Sequence, residues 1–478
     1  MKSLGFALKR VAGPAVFGVA LATLITTAVP AVPAAWWLSV AAVVLSALLL
    51  RGPARLFSRR EITIPGVWWF SFLAMVFLPA HLVIRDDDSS HARVYMLALQ
   101  VVLVAVPLGV VVATRLAGAH RREIQAFIRA PLRRAAWEDS VFLVYLLLLA
   151  GALALTIAYF REAPGTPILY ILQNPGDSLG MALLREESFK LLDSPLLYSY
   201  DVLRRVLYPF LLSVALGYYA ETRRRKWLVA LVVCGLGAVA LGAAAAAKMP
   251  VAALVLVVAM FWYLYRRGSV RARTVMVLAV LFLAFPAFVM FVSAPHDEAA
   301  LVYISALLAK RMFYSPAEDL LWYFEIFPDE VGFLHGRTVG KLSWLAGWEP
   351  FDVENYISRR KVGGPIETGT NTAAFVGNLW ADFGWLGVTG GAVVAGLVMQ
   401  LVQVWLSRMR KSVVVLAAYA SYLWCFAQLN LQSLAVTLLS GGVVFLAGAV
   451  LVMRDGGEVL SVSLHSLRVG RQRAAVDR

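Results

Sequence analysis

The chain has 478 residues, of which 60% are hydrophobic and 15% charged, with a mean hydropathy of +0.74. This composition excludes an ordinary soluble globular protein, which needs far more polar surface. The formal net charge is +15. Both cysteines, Cys234 and Cys425, lie in apolar segments and the six histidines show no metal-ligand spacing, so we expect neither a disulfide nor a metal site.

Apolar stretches long enough to cross a bilayer recur along the whole chain, since roughly 20 helical residues span the hydrocarbon core. The predicted spans are Val11–Val29, Ala34–Leu50, Ile62–Ile84, Val94–Thr114, Ser140–Phe160, Val206–Ala220, Trp227–Ala247, Val251–Tyr265, Thr274–Ser293, Trp385–Leu406, Val413–Leu429 and Leu434–Met453. The first could instead be a signal peptide, because Lys9 and Arg10 precede it and small residues follow it. The sequence therefore predicts an all-α polytopic membrane protein with about twelve transmembrane helices.

Basic residues are distributed unequally between the two sides that these spans define. With the N-terminus inside, the inner segments hold 29 of the 44 Lys and Arg and 8 acidic residues, whereas the outer segments hold 15 bases and 21 acids. This follows the positive-inside rule, so both termini are expected in the cytoplasm. The basic charge therefore reflects orientation in the membrane, and we expect no nucleic-acid partner.

Two outer segments are much longer than the others, with about 45 residues over 161–205 and about 90 over 294–383. The predicted organisation is nine transmembrane helices over 1–293 with the outer loop 161–205, an extracytoplasmic cap over 294–383, three transmembrane helices over 384–453 and a cytoplasmic tail over 454–478. Within the cap, Ala317–Phe327 has apolar and acidic residues on different faces. This amphipathic helix is expected to lie along the membrane interface.

A polar stripe is predicted where the cap re-enters the membrane. Asn371, Phe375, Asn378 and Asp382 are spaced by 4, 3 and 4 residues, which places them on one face of a helix. Polar groups at membrane depth are candidates for function by default. The stripe is either a substrate-binding surface or a hydrogen-bond seam between helices.

Several cations lie on the outer side, against the topological bias. They are Arg204, Arg205, Lys248, Arg311 and Arg337. A lipid pyrophosphate would hold such cations through charge-assisted hydrogen bonds. The alternatives are snorkelling to the interface and pairing with nearby acids such as Asp201 and Glu318.

The stretch from Arg311 to Gly387 contains three distinctive pieces of sequence. They read R-M-F-Y-S-P, then F-P-D-E-V-G-F-L-H-G-R-T, then T-G-T-N-T-A-A-F-V-G-N-L-W-A-D-F-G-W-L-G. This stretch resembles the Wzy-type polymerases that join lipid-linked oligosaccharide repeat units. The large outer loop before the last three helices, and Lys248 after a small-residue run, are similar to that family's layout. The motif covers under a fifth of the chain.

The resemblance implies a GT-C-like glycosyltransferase in the bacterial inner membrane. A growing chain on undecaprenyl pyrophosphate would be transferred, at the outer face, to the terminal sugar of an incoming lipid-linked repeat, building an O-antigen or exopolysaccharide. Membrane lipid surrounds the site, a chain-length regulator is a candidate partner, and the scheme requires no cofactor or metal.

Roles for individual residues follow from the chemistry of this transfer. Arg311, Arg337 and Lys248 are expected to stabilise the leaving pyrophosphate, with Arg204 or Arg205 as substitutes. Candidates for removing the proton from the acceptor hydroxyl are Asp382, Glu318 and His335, in that order of preference. Asn371 and Asn378 are the candidate substrate-binding residues. Asp382 could instead only shape the stripe, and His335 could be merely solvent-exposed.

Two other functions are alternatives, and the sequence separates the first of them poorly from a polymerase. A ligase of the same superfamily would move a finished chain onto a lipid or protein acceptor, and only its product would distinguish it. A flippase or other transporter predicts charged residues along mid-membrane helices and discontinuous helices in two repeated halves. The sequence shows no internal repeat, and its polarity gathers at one outer face.

Overall fold

The structure is a computed structural model that describes residues 33–53, 62–85, 87–119, 121–132, 138–190, 194–244, 248–266, 306–307, 310–340, 343, 346–362 and 373–454. Across these ranges the chain is helical and has no β-strand, which confirms the predicted all-α class there. In chain order the helices are α1 Pro33–Leu50, α2 Ile64–Val83, α3 Ser90–Leu116, α4 Arg121–Arg129, α5 Glu138–Glu162, α6 Pro167–Gln173, α7 Ser178–Lys190, α8 Ser194–Val202, α9 Tyr208–Thr222, α10 Arg225–Ala244, α11 Lys248–Tyr265, α12 Ser315–Ile326, α13 Val353–Val362, α14 Phe375–Arg408, α15 Val413–Ala427, α16 Leu434–Leu438 and α17 443–454.

Seven helical segments in the described ranges are long and apolar enough to cross a membrane. They are α2, α3, α5, α10, α14, α15 with its 3-10 extension to Asn430, and Leu434–Arg454. Each coincides with a predicted span. Helices α1 and α11 are shorter and apolar, and α9 covers most of the predicted span Val206–Ala220. The predicted spans Val11–Val29 and Thr274–Ser293 lie outside the described residues.

Within the described ranges three π-helical turns interrupt the helices, each just before a proline. They are Leu73–Phe77 before Pro79, Leu203–Leu207 before Pro209 and Lys310–Tyr314 before Pro316. Proline has no N–H and its ring crowds the carbonyl one turn earlier, so a widened turn relieves the contact. Such turns recur at functional sites. Two of the three carry a pair of bases, Arg204 with Arg205 and Lys310 with Arg311.

The chain divides into two compact units that are each discontinuous in sequence. Unit 1 holds α1 to α4, α12 to α14 and the segment Phe426–Thr437. Unit 2 holds α5 to α11, most of α15 and α17. The candidate residues on α12 to α14 therefore belong to unit 1, whereas Arg204, Arg205 and Lys248 belong to unit 2.

The core of unit 1 is a close contact between α3 and α14. A Cβ added to Gly109 would lie 2.1 Å from the carbonyl oxygen of Val393, and one on Gly396 would lie 2.0 Å from that of Val106. Small residues let membrane helices approach this closely. The contact fixes α14, whose N-terminal part carries Asn378 and Asp382.

Helix α12 confirms the helix expected over Ala317–Phe327, but its surroundings differ from the expectation. Leu320 and Phe324 on its apolar face are buried, and so are Asp319 and Tyr323 on its other sides. The helix packs against α2, α3 and α14 within unit 1. The interpretation of a helix resting on the membrane surface is therefore corrected, because protein covers α12 on several sides.

Candidate functional site

Helix α14 bends at Gly384, two residues after Asp382. Gly384 has φ +56° and ψ −134°, a conformation that only glycine adopts readily. A Cβ at this position would lie 2.8 Å from Cζ of Phe333. The bend therefore needs a glycine for two reasons, backbone conformation and the packed ring.

The loop 334–338, here called the docked loop, attaches to α14 one turn before the bend. Through the backbone, the N–H of Leu334 donates to the carbonyl of Ala381 at 2.9 Å, and that of His335 donates to the carbonyl of Asp382 at 3.0 Å. These bonds join two segments that are far apart in sequence. Both segments lie in the motif that carries the family resemblance.

The carboxylate of Asp382 completes the attachment. Its Oδ1 accepts hydrogen bonds from the backbone N–H groups of Gly336 at 3.0 Å and Thr338 at 3.3 Å. Its Oδ2 accepts the hydroxyl of Thr338. Asp382 is 3% exposed, so both oxygens are committed to the docked loop in a buried position. This is the geometry of a residue that positions a loop.

His335 stands at the turn of the docked loop. Its φ is +53°, and that of the following Gly336 is +97°. A positive φ is uncommon for a residue other than glycine, and such backbone conformations cluster at active sites. The imidazole is solvent-exposed while the backbone N–H is held by α14. The backbone of His335 is therefore fixed by α14, while its imidazole faces solvent.

Arg337 connects the docked loop to the next part of the cap. Its Nε donates to the carbonyl of Glu349 at 2.9 Å, and its guanidinium lies 6.0 Å from the ring centroid of Phe351. The N–H of Phe351 donates in return to the carbonyl of Arg337 at 2.9 Å. The guanidinium of Arg337 is therefore already engaged by Glu349 and Phe351.

Glu318 takes part in an ion-pair clamp between α12 and α13. Lys361 Nζ donates to Oε2 of Glu318 at 2.8 Å and to Oδ1 of the buried Asp319 at 2.9 Å. Partial burial alone would lower the pKa of Lys361, but its hydrogen bonds to the two carboxylates raise the pKa above its ordinary value. Glu318 is therefore engaged by a cation.

Arg311 differs from Arg337, the other candidate cation of unit 1. Its side chain is exposed and makes no hydrogen bond or ion pair with the described residues. It lies on the π turn Lys310–Tyr314, which packs against the π turn Leu73–Phe77. The neighbouring Phe313 is 47% exposed, so a cation and an aromatic ring are both open to a ligand here.

In unit 2, the two candidate arginines have different surroundings. Arg204 is 8% exposed, donates through Nε to Oδ1 of Asp201 at 2.9 Å and through Nη1 to the hydroxyl of Tyr200 at 3.1 Å. Arg205 is more open, with Nε 3.6 Å from the same carboxylate and a side chain 29% exposed. Arg204 therefore balances the charge of Asp201. Lys248 is the first residue of α11, and its side chain lies outside the described part of the chain.

The predicted polar stripe is found in part. Helix α14 begins at Phe375, which is fully buried, so the stripe consists of Phe375, Asn378 and Asp382, and Asn371 lies outside the described residues. Asn378 is 7% exposed and hydrogen-bonds to no described residue. Because its amide is bonded to none of the described residues, Asn378 is a candidate contact for a polar ligand.

Sequence reasoning missed the partners of Asp382 and the polar groups buried along the spans. Gly336 and Thr338 build the docked loop, and the only signal was their place in H-G-R-T. In unit 1, Gln403 Oε1 accepts the N–H of Ile64 at 2.7 Å, and Asn430 Nδ2 donates to Ser71 Oγ at 2.7 Å. These amides act as hydrogen-bond seams between helices.

Gly384→Ala is expected to destabilise the protein, because the new Cβ meets Phe333 and the residue must hold a positive φ. The strain alone is about 1–3 kcal/mol. Gly390→Ala on the same helix is the matched control, since nothing lies within 4 Å of its added Cβ. Thermal unfolding of the two purified variants measures the change in stability of each. An unchanged melting temperature for Gly384→Ala would show that the bend does not need glycine.

Comparisons with known proteins add no assignment to this geometry. No family model matches the chain, and neither a curated protein nor a solved structure matches it. No group of three His, Cys, Asp or Glu side chains suited to a metal occurs among the described residues. The functional argument therefore rests on the residues themselves.

Proposed function

We propose that this protein is a GT-C-like glycosyltransferase of the bacterial inner membrane that polymerises undecaprenyl-pyrophosphate-linked oligosaccharide repeat units at the outer face. The observation that carries the proposal is the docked loop. Its F-L-H-G-R-T segment and the A-D-F-G segment of α14 carry the resemblance to Wzy-type polymerases, and they meet through Asp382. Residues that match the family only as a sequence pattern thus belong to one local structure.

His335 is the best-placed base for the proposed reaction. The base takes the proton of the acceptor hydroxyl as its oxygen attacks the anomeric carbon, and the bond from that carbon to the pyrophosphate oxygen breaks. The electron pair leaves with the lipid pyrophosphate. The sequence favours Asp382 and Glu318 as the base, but their carboxylates are occupied by the docked loop and by Lys361. We therefore assign Asp382 as a positioning residue.

The π turn Lys310–Tyr314 of unit 1 carries the best candidate cation for a pyrophosphate. Arg311 on this turn is exposed and unpaired among the described residues, and would stabilise the charge that grows on the leaving group. Arg205 belongs to unit 2 and stays a separate candidate, the more open member of its pair. Asn378 is a candidate sugar contact beside Asp382.

Experiment can distinguish the two alternatives, a ligase and a flippase, from the proposed polymerase. A ligase would use the same groups and differ in acceptor. A flippase would move the same lipid-linked sugar across the membrane and would form no new glycosidic bond.

The test is a reaction of the purified protein with a defined undecaprenyl-pyrophosphate oligosaccharide. A ladder of products spaced by one repeat unit is expected on a gel. A single transfer to another acceptor would support the ligase. Absence of any transfer, together with movement of the lipid-linked sugar across liposomes, would contradict an enzyme.

His335→Asn is expected to lower the rate of polymerisation by about 10²–10⁴-fold, the usual contribution of a general base. Asparagine tolerates a positive φ, so this variant removes the imidazole while keeping the backbone of the docked loop. Binding of the lipid-linked donor, measured separately, should change little. Wild-type ladders from His335→Asn would exclude His335 as the base.

A further inference from the structure

Large exposed apolar side chains gather on α6 and α7, outside the candidate membrane spans. Leu169 and Leu172 on α6 are 55% and 48% exposed, and Leu179 and Leu183 on α7 are 55% and 52% exposed. Spacings of three and four residues place each pair on one helix face. An apolar patch of this kind normally marks a contact surface.

The helical hairpin formed by α6 and α7 is internally well bonded. The hydroxyl of Tyr170 donates to Oδ2 of Asp177 at 2.6 Å, and Oδ1 of Asp177 accepts the N–H of Gly180 at 2.8 Å. Leu184 packs against Gly165, where an added Cβ would lie 3.1 Å from Cδ1. The four leucines are therefore displayed by a defined structure.

The hairpin lies next to two membrane helices of its own unit. Helix α5 ends at Glu162 and α6 begins at Pro167, and five residues of extended chain reach at most about 18 Å. Helix α6 also packs against the membrane helix α10. Both membrane helices expose apolar side chains, among them Ile157 on α5 at 53% and Leu236 on α10 at 68%.

We propose that the hairpin of α6 and α7 is embedded in the bilayer leaflet in which α5 ends, with its leucines against lipid acyl chains. In this position the leucines would add to the apolar surface of α5 and α10. Asn174 and Asp177 are exposed at the turn between the two helices, and the exposed Glu187 ends the stripe of Leu179 and Leu183 one turn further along α7. These polar groups would remain at the level of the headgroups, as the polar parts of interfacial helices do. The proposal is independent of the proposed enzymatic function.

Fluorescence quenching in vesicles tests the depth of the hairpin. Leu172→Cys and Leu183→Cys, with Asn174→Cys as the matched control, are made in the full chain and labelled with an environment-sensitive fluorophore. The native Cys234 and Cys425 are fully buried and should remain unlabelled. In phosphatidylethanolamine and phosphatidylglycerol vesicles, nitroxide-labelled acyl chains should quench positions 172 and 183 several-fold more than aqueous iodide does. Position 174 should show the reverse order.

Two results would overturn the proposal. Iodide quenching at positions 172 and 183 equal to that at 174 would place the leucines in water. Protection from both quenchers, with cross-linking between copies of the chain, would show that a second copy covers them. If one cysteine variant does not fold, Leu169→Cys or Leu179→Cys reports on the same helix face.

Discussion

Asp382→Ala is expected to abolish polymerisation, whereas Asp382→Asn should retain a substantial part of it. Alanine leaves the N–H groups of Gly336 and Thr338 and the Thr338 hydroxyl without their acceptor. Each unsatisfied buried group costs about 1–3 kcal/mol, enough to release the docked loop. Asparagine still offers one oxygen to both N–H groups, and the threonine hydroxyl can turn to accept from the new amide.

Comparing Asp382→Ala with Asp382→Asn shows whether Asp382 acts as a positioning residue or as a general base. A base would lose about 10²–10⁴-fold in rate with either substitution, because neither side chain can take the proton. Hydrogen exchange of residues 333–339 supplies the second measurement. Fast exchange in the Asp382→Ala protein and near wild-type exchange in Asp382→Asn are expected. Equal loss of activity in both, with an intact loop, would return Asp382 to the role of base.

Arg311→Ala is expected to reduce polymerisation by about 10²–10³-fold while leaving the protein folded. The exposed guanidinium has no partner among the described residues, so its removal costs little stability. In the reaction it would stabilise charge on the leaving pyrophosphate, and losing one such group has effects of this size. Arg311→Lys should recover part of the rate, since lysine keeps the charge but not the bidentate geometry.

Lys310→Ala is the matched control for Arg311, because it removes a neighbouring exposed cation from the same π turn. Its effect on the product ladder should be small. Size-exclusion chromatography in detergent checks that all three variants remain monodisperse. Normal chain lengths from the Arg311→Ala protein would remove Arg311 from the site, and equal losses for both positions would indicate a general effect of charge.

The positions of the membrane helices were predictable because their cause is local. In hydrocarbon every backbone polar group must be satisfied within the segment, so an apolar run of sufficient length forms a helix. Predicted spans such as Val94–Thr114 and Ser140–Phe160 therefore coincide with α3 and α5. The helix over Ala317–Phe327 was also predictable from local sequence, because its apolar residues recur with helical spacing.

The chemistry of the site was predictable only as a set of residue types. Asp382 was recognisable because polar groups at membrane depth are costly, and Arg311 because cations on the predicted outer side oppose the positive-inside bias. His335 was recognisable only as a possible base beside Arg337. Which of them can act depends on their partners. Thr338 lies 44 residues from Asp382 in the chain, and no local sequence pattern predicts that its hydroxyl donates a hydrogen bond to that carboxylate.

The sequence by itself determined that the described part of the chain is helical with segments apolar enough to cross a membrane, where seven of those segments lie, and that unusual polarity gathers near residues 311–387. Only the tertiary structure decided that Asp382 holds the docked loop, that Arg204 is buried against Asp201, and that Arg311 is open. The physical reason is the range of the interactions. Hydropathy acts within one helix, whereas the availability of a charged side chain depends on hydrogen-bond partners brought from distant segments.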